Sequence, residues 1–461
     1  MSSNATNKKQ NAASTPSDED HTMKLPENIL VHLLSLLPTK DAVAMGIQSH
    51  HWKDKWKLIS NLHFDDTMLY SNERAASEDS FVKFVHNVLQ NLLSINIHSF
   101  KLALSKKYNP GDVNSWIFSS LRRGVEKVYL DGIIPSLPEN LFGCNTLVEL
   151  ELSTDCSISV PCFVCLENLK ILKLVRVKFV VDCLGEPKEQ VLSFPVLKSF
   201  EAELCIWSKV HDIVLQAPLL ENFKMDYLLM NFYRNGASSS AVKIFASQLR
   251  NFSYKCNGSE DIILLDESTI LDASVDVFVP YDVNNDIYQI GVKVGKLVRQ
   301  FRGLECLKLG FNLVQVLSNV KDYILTLPMF ERLVHLELSF FCYSPSQNIL
   351  LKLLHNAPAL RKLVLLFGSV NFDTNILSSD VVPRCVVSNL KSVELIIYDW
   401  DESILCLAKY MLEHSHVLEL MIVSLRTTAA KDDATMKVEE VLLKALKVSA
   451  SATIQVERIV T

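Results

Sequence analysis

The sequence predicts an α/β protein in which a short N-terminal helical unit precedes a long solenoid of stacked repeats, each built around one short strand. Three observations support this fold class. Leucine accounts for 69 of the 461 residues, and apolar residues make up 49% of the chain. Glycine is scarce, with 13 residues, below the usual share of about 7%. Apolar residues also recur in a fixed pattern along most of the chain, as stacked repeats require.

The overall charge limits the classes of partner. The chain has 46 basic and 52 acidic residues, which gives a net charge of −6. This balance excludes a strongly basic protein that binds nucleic acid or a membrane surface. No apolar run is long enough to predict a transmembrane helix.

The first residues predict where the protein works. Residues 1–22 are polar and lack periodicity, so a disordered tail is expected there. They contain no apolar core of a secretory signal, which predicts an intracellular protein of the nucleus, the cytoplasm or both. The 11 cysteines are then expected to be reduced core residues.

The first predicted helix begins at Leu25-Pro26-Glu27. A proline is tolerated in the first turn, and an acidic residue there interacts favourably with the positive end of the helix dipole. Apolar residues then occupy two adjacent faces, at Ile29, Leu30, Leu33, Leu34, Leu36 and Leu37. This stripe is wider than a short helix needs for its own packing, so it predicts a second buried contact with a partner.

Two more short helices are predicted directly afterwards. Pro38 ends the first helix, and Thr39 can cap the second. Ser49 can cap the third, in which Trp52 and Trp56 share one face. Such a unit is too small to be very stable alone.

A repeating pattern, apolar-x-x-apolar-x-apolar, follows an amphipathic helix predicted over residues 79–93. Its copies start 22 to 30 residues apart, apart from one gap that can hold a degenerate unit near Val275. This is the signature of leucine-rich repeats, in which one short strand is followed by a return segment that is often helical. The copies start at Ile97, Val125, Leu147, Leu169, Leu197, Leu220, Leu249, Leu304, Leu333, Leu360 and Leu390.

Prolines and the last segments agree with this repeat architecture. Pro195, Pro218 and Pro358 each stand two residues before a repeat begins, where they are expected to end a preceding helical segment. Residues 255–303 form poor repeats, so an irregular section is expected there. Helices over 403–413 and 432–446 and a strand around 454–456 are predicted to cap the solenoid.

Three stretches resemble one plant family. Residues 25–43, continued by Ser49, Trp52, Trp56 and residues 62–66, resemble an F-box. Further matches are similar to the first repeat of F-box/leucine-rich-repeat proteins, at Trp116-Ile117 and Arg123-Gly124-Val125-Glu126. The C-terminal third resembles the FBD domain of the same family, at Leu336-Glu337-Leu338, Ala357-Pro358, Val382-Pro383-Arg384-Cys385, Leu390-Lys391-Ser392-Val393 and Ala408-Lys409-Tyr410.

The resemblance implies an α/β architecture with an N-terminal three-helix F-box, a leucine-rich-repeat solenoid shaped as a horseshoe, and a C-terminal α/β FBD cap. The expected boundaries are a disordered tail at 1–22, the F-box at 23–66, the repeat region at 67–328, and the FBD domain with the last repeats at 329–461.

The resemblance further implies a non-catalytic substrate-recognition subunit of an SCF-type ubiquitin ligase, without a cofactor. Its F-box is expected to dock onto a Skp1-like adaptor and through it to reach a cullin and a RING protein, while the repeats capture an unknown target protein. The alternative is a repeat scaffold that is not coupled to ubiquitination. The motif positions implicated in adaptor binding are Leu25, Pro26, Ile29, Leu33, Leu36, Pro38, Val43 and Trp52.

Two departures from the family pattern bear on adaptor binding. His50-His51 stands where the family usually has Lys-Arg. Gly46 weakens the second helix by about 1 kcal/mol relative to alanine, which can lower the affinity for the adaptor without abolishing the fold.

Charged residues between the buried repeat positions are expected on the concave surface, because side chains alternate along a strand. Both signs of charge are interleaved, which disfavours nucleic acid and fits a protein or peptide ligand. The candidate target-binding residues are Glu149, Glu151, Lys173, Glu201, Glu203, Lys224, Lys308 and Glu337.

Catalytic and metal-binding motifs are weak or missing. Cys162-x-x-Cys165 has no second ligand pair at metal spacing, so ordinary packing is the favoured interpretation and no metal is expected. Gly291-x-x-x-Gly295-Lys296 lacks the spacing and the hydroxyl residue of a phosphate-binding loop. Asp65-Asp66 is interpreted as a solvated turn.

Overall fold

The structure is a computed structural model. It describes residues 25–48, 52–70, 78–182, 189–208, 210–226, 229–231, 240–256, 260–266, 269–277, 287–301, 303–318, 327–340, 348–368, 374, 377, 381–398, 401–427 and 452–460. The predicted tail at 1–22, the predicted helix at 432–446 and His50-His51 lie outside the described residues.

The N-terminal unit contains two α-helices, Glu27–Ser35 and Thr39–Gln48, followed by a single 3-10 turn at Lys55–Leu58. The predicted third helix is therefore wrong in the described part of its range, since Trp52 lies in a turn. The cause is local, because Asp54 has a φ of 65°, a left-handed conformation that interrupts a right-handed helix.

Gly46 has a packing role that its helix propensity does not reveal. A Cβ atom at this position would lie 2.6 Å from Cδ1 of Trp56, closer than atoms pack. The bare glycine thus lets the Trp56 ring lie directly against the helix Thr39–Gln48. The propensity cost of glycine is balanced by a contact that a larger residue would prevent.

The main sheet has 15 strands among the described residues, and every pair of neighbours is parallel. Numbered with all strands in chain order, they are β1 Asn61–Asp65, β2 Ser99–Leu104, β3 Lys127–Gly132, β4 Glu149–Ser153, β7 Ile171–Val175, β10 Ser199–Glu203, β13 Asn222–Asp226, β16 Asn251–Cys256, β18 Asp272–Val277, β19 Cys306–Leu309, β20 His335–Phe340, β21 Lys362–Phe367, β22 Ser392–Ile397, β23 Leu420–Thr427 and β24 Thr453–Val460. The strand positions predicted from the repeats are confirmed, including the degenerate unit near Val275.

The repeat spacing explains this sheet. Equivalent positions of successive repeats lie opposite each other, as with Leu150, Leu172 and Phe200, and all three are buried. Two strands, β1 and β23, are not among the predicted repeats, although Leu62 and Phe64 hold the same alternating positions in β1. The apolar side chains therefore form one continuous core, as stacked repeats require.

The return segments differ from the helical expectation in the middle of the chain. There they form two further parallel sheets, ordered β14-β11-β8-β5 and β17-β15-β12-β9-β6. Their strands are β5 Ser157–Pro161, β6 Phe163–Cys165, β8 Lys178–Asp182, β9 Glu189–Ser193, β11 Ile206–Ser208, β12 Asp212–Gln216, β14 Leu229–Asn231, β15 Ser240–Phe245 and β17 Glu260–Leu264.

Local sequence favours strands in several of these segments, because β5 and β9 alternate between buried and more exposed residues with the period of two typical of strands. Pro195 and Pro218 accordingly follow strands, whereas Pro358 follows a helix as predicted. Helices fill the other returns and the adjoining connections, at Thr67–Tyr70, Glu78–Asn91, Pro110–Arg122, Ile287–Gln300, Phe311–Ser318, Asn348–Asn356, Arg384–Ser388 and Glu402–His414. A second 3-10 turn lies at Glu139–Gly143.

Helix Ile287–Gln300 packs against β17, an edge strand of the five-stranded sheet. The Gln300 side chain accepts a hydrogen bond from the Leu264 amide at 2.8 Å and donates one to the Ile262 carbonyl at 3.2 Å. The Gln300 side-chain amide thus bonds to the backbone of β17 as a neighbouring strand would. It satisfies an N–H and a C=O group that an uncovered edge strand leaves without a hydrogen bond.

The structure corrects one expectation about the cysteines. Cys162 is disulfide-bonded, so it is not reduced as predicted, whereas Cys165 is free. Cys162 and Cys165 therefore do not pair with each other. The described part of the chain holds no helix that is both long and apolar enough to cross a membrane.

Candidate interaction surfaces

The helix Glu27–Ser35 is apolar on two sides. Leu30 and Leu34 point inward and are at most 1% exposed. Ile29, Leu33, Leu36 and the preceding Leu25 are between 38% and 67% exposed. We call these four residues, with the exposed Pro26, the N-terminal apolar surface.

Three other predicted adaptor-binding residues lie elsewhere in the unit. Pro38 and Val43 are half-buried. Trp52 is only 8% exposed and belongs to the protein's own core, so the structure does not place it on the N-terminal apolar surface. Ile47, near the end of the helix Thr39–Gln48, is 80% exposed.

Asp66 has a structural role that the sequence interpretation missed. It is fully buried, and its carboxylate accepts hydrogen bonds from the Ser105 amide at 2.9 Å, the Lys106 amide at 3.2 Å and the Tyr108 hydroxyl at 3.2 Å. The prediction of a solvated turn is wrong for Asp66. Asp65 is the half-buried last residue of β1, and its carboxylate accepts a hydrogen bond from the Thr67 amide at 2.8 Å.

The second candidate surface is the open face of the main sheet, formed by the side chains that alternate with the buried repeat positions. The eight predicted target-binding residues all lie on it and are half-buried or exposed. Most of them pair with each other or with neighbours across adjacent strands. The ion pairs are Lys127–Glu149 at 2.8 Å, Lys173–Glu201 at 3.6 Å, Lys224–Glu201 at 2.5 Å and Lys308–Glu337 at 3.0 Å.

These pairs keep both partners charged. Burial alone would raise the pKa of Glu201, but the hydrogen bond and the charge of Lys224 lower it below its usual value. The same hydrogen bond raises the pKa of Lys224. At the other end of the face, burial and then the hydrogen bond to Glu149 raise the pKa of Tyr129, so Tyr129 stays neutral and donates to that carboxylate at 2.5 Å.

A depression of about 410 Å³ interrupts the open face between β10 and β19. Ser253 and Ser274 lie opposite each other at its centre. Lys224 and Lys308 stand on the strands that flank these serines. We call this depression the polar groove. Its position could not be found from any single repeat, because its lining comes from five strands that are far apart in sequence.

Cys306 lines the polar groove but is a poor nucleophile. Burial raises the pKa of its thiol to about 11, and Asp272 beside it adds to the shift. Only the thiolate reacts with alkylating reagents. The structure holds no cluster of three or more His, Cys, Asp or Glu side chains suited to a metal within its described ranges.

Cys306 is therefore expected to resist iodoacetamide at pH 8, whereas the exposed Cys406 reacts. Because the raised pKa keeps the thiol protonated below about 11, the Cys306 rate should still rise between pH 9 and pH 11. Peptide mass spectrometry of time-resolved alkylation measures both rates. Equal rates for the two cysteines at pH 8 would show that Cys306 is not shielded.

Comparison with known proteins gives one family match and several relatives. Residues 379–423 match the family model described as FBD. An F-box/FBD/LRR-repeat protein of Arabidopsis thaliana is 28% identical over 418 residues, which cover 88% of each chain. An FBD-associated F-box protein of the same plant is 27% identical and covers 90% of each chain. A putative F-box/FBD/LRR-repeat protein is 26% identical over 456 residues, covering 95% of this chain and 98% of that one.

Proposed function

We propose that this chain, which carries an FBD domain at residues 379–423 and is related over most of its length to F-box/FBD/LRR-repeat proteins, is the substrate-recognition subunit of an SCF-type ubiquitin ligase. In this role the N-terminal unit docks onto a Skp1-like adaptor, which links the chain to a cullin and a RING protein. The protein itself performs no chemistry. It works inside the cell, in the nucleus, the cytoplasm or both.

The N-terminal apolar surface is the observation that carries this proposal. The helix Glu27–Ser35 uses Leu30 and Leu34 for its own core and still exposes Ile29 and Leu33 to solvent, and the following Leu36 is exposed beside them. Apolar side chains exposed together at this density mark a protein contact. Burying them under an adaptor would remove that apolar area from water, which stabilises a complex by about 25 cal/mol per Å².

The target would be held on the open face of the main sheet while the adaptor fixes the other end of the chain. Holding a target near a charged ubiquitin-conjugating enzyme raises its effective concentration, so a slow encounter becomes an intramolecular step. The ion pairs of the open face favour a protein target of mixed charge over a nucleic acid.

The double variant Ile29→Asp/Leu33→Asp tests adaptor docking. We expect the purified variant to lose Skp1-like adaptor binding by about a hundredfold or more, because buried apolar anchors each contribute on the order of 2 kcal/mol. Its thermal unfolding should be unchanged, since both residues are 41% exposed. Titration calorimetry with the adaptor measures the affinity.

Leu93→Asp/Ile95→Asp is the matched control. These residues are 65% and 87% exposed and lie outside the N-terminal apolar surface, so this variant should bind the adaptor as the wild type does. If Ile29→Asp/Leu33→Asp also bound normally, the docking surface would be misplaced. If the wild type did not bind any Skp1-like protein, the uncoupled repeat scaffold would be favoured.

A further inference from the structure

We propose that the polar groove holds an extended peptide segment of the target protein, and that this segment places a lysine or arginine side chain opposite Asp272. The inference rests on the proposed function, since it identifies where on the open face a target binds and which side chain is selected.

The shape of the polar groove favours an extended segment. Lys224, Ser253, Ser274 and Lys308 are neighbours on four adjacent parallel strands. Neighbouring strands are about 4.8 Å apart, so the backbones that carry the two lysines are separated by about 14 Å. The lysine side chains narrow this space further, and an α-helix with its side chains is about 10–12 Å wide. A single extended chain lying along the strands fits the remaining width.

The charges of the polar groove favour a cationic side chain. Lys224 is paired with Glu201, and Lys308 is paired with Glu337. Each lysine charge is thus balanced by a carboxylate, and one of these carboxylates, Glu201, belongs to the lining. Asp272 is exposed, and within the described ranges no lysine, arginine or histidine nitrogen forms an ion pair with it. Of the two carboxylates in the lining, Glu201 and Asp272, Asp272 is therefore the one that has no ion-pair partner among the described residues.

The neighbours of Asp272 strengthen this preference. In the sheet register it lies between Asn251 and Cys306, two groups without charge, because burial keeps the Cys306 thiol protonated. A lysine or arginine side chain could thus pair with Asp272 without displacing an existing ion pair. An acidic side chain would have to compete with Glu201 or Glu337 for a lysine that is already paired.

Uncharged polar groups supply a further part of the lining. The side-chain amide nitrogen of Asn251 donates a hydrogen bond to the side-chain oxygen of Asn222 at 2.6 Å. Ser253 and Ser274 contribute hydroxyls that both donate and accept hydrogen bonds. The buried residues Phe200, Phe223 and Phe252 also line the groove, so part of its lining is apolar. Mixed donors and acceptors of this kind suit the alternating N–H and C=O groups of an extended backbone.

The test uses the full chain in complex with its adaptor and five pools of fluorescent nonapeptides, acetylated and amidated at their ends. The central residue of each pool is fixed as Arg, Lys, Gln, Leu or Glu, and the other positions are randomised. Fluorescence anisotropy should show the Arg and Lys pools binding about fivefold more tightly than the Gln pool, a difference typical of a partly exposed ion pair.

Asp272→Asn should abolish the preference for Arg and Lys. Asp131→Asn is the matched control, because Asp131 is exposed on β3 of the same main sheet, and this variant should keep the preference. Ser274→Phe should fill the polar groove and weaken the binding of all pools, whereas Ser392→Phe on β22 should not.

Several results would overturn the inference. Equal binding of all five pools, or tighter binding of the Glu pool, would contradict the selection of a cationic side chain. The role of Asp272 would be contradicted if the Asp272→Asn variant kept the preference for Arg and Lys, or if the Asp131→Asn control lost it. If N-acetylarginine amide displaced the labelled peptides as strongly as the unlabelled Arg pool does, the groove would bind a small cationic ligand and not an extended segment. Adaptor affinity, measured on the same samples, separates these outcomes from failure of the proposed function.

Discussion

Phe223→Ala is expected to destabilise the repeats by about 3–5 kcal/mol, the usual effect of removing a large aromatic side chain from a core. The Phe223 ring is 2% exposed. It stacks between Phe200 and Phe252, with ring centroids 5.5 Å and 5.3 Å apart. Because each repeat packs only on its neighbours, the loss should be greatest in β10, β13 and β16. Chemical denaturation followed by circular dichroism measures the free energy of unfolding, and hydrogen exchange of these strands locates the loss.

Phe163→Ala is the matched control on β6. Phe163 is 57% exposed, so its truncation should change the free energy of unfolding by no more than about 0.5 kcal/mol. Similar losses for Phe163→Ala and Phe223→Ala would mean that the stacked rings do not form the core of the repeats.

Asp66→Ala is expected to destabilise the junction between the N-terminal unit and the repeats by about 3 kcal/mol. The substitution removes a buried carboxylate together with the hydrogen bonds that it accepts from the Ser105 and Lys106 amides and from the Tyr108 hydroxyl. The loss of several hydrogen bonds to a charged group accounts for this value. Hydrogen exchange of the Ser105 and Lys106 amides measures the local effect, and thermal unfolding measures the global one.

Asp65→Ala provides the comparison for Asp66→Ala. Asp65 caps a short turn through the Thr67 amide and hydroxyl, so its loss should cost about 1 kcal/mol. Unchanged protection of the Ser105 amide in Asp66→Ala would contradict the buried acceptor. The two adjacent aspartates look alike in sequence, and only the chain from Ser105 to Tyr108, about 40 residues away, distinguishes them.

The repeat strands were predictable because their signal is local. A strand with one buried face needs apolar residues at alternate positions, and stacking repeats that pattern at a regular spacing. The same reasoning located Phe252 in β16 and Val275 in β18. It failed in the return segments, where a short alternating stretch such as β9 can form a strand that only a neighbouring repeat stabilises.

The sequence predicted that the first helix carries an exposed apolar surface, but not which of its apolar residues belong to that surface. The width of the stripe from Ile29 to Leu37 indicates more apolar area than one helix can bury in its own unit. The division into the inward Leu30 and the outward Leu33 depends on the direction in which the helix packs. Trp52 faces the core because the left-handed Asp54 ends the segment in a turn.

By itself, the sequence determined the α/β class, the positions of the repeat strands and the presence of an unpartnered apolar stripe, because each follows from the periodicity of neighbouring residues. Only the tertiary structure decided the buried role of Asp66, the close contact of Gly46 with Trp56 and the position of the polar groove. Each of these depends on residues that are brought together from separate parts of the chain. Periodicity cannot report such contacts, because it records which face a side chain occupies and not what lies opposite it.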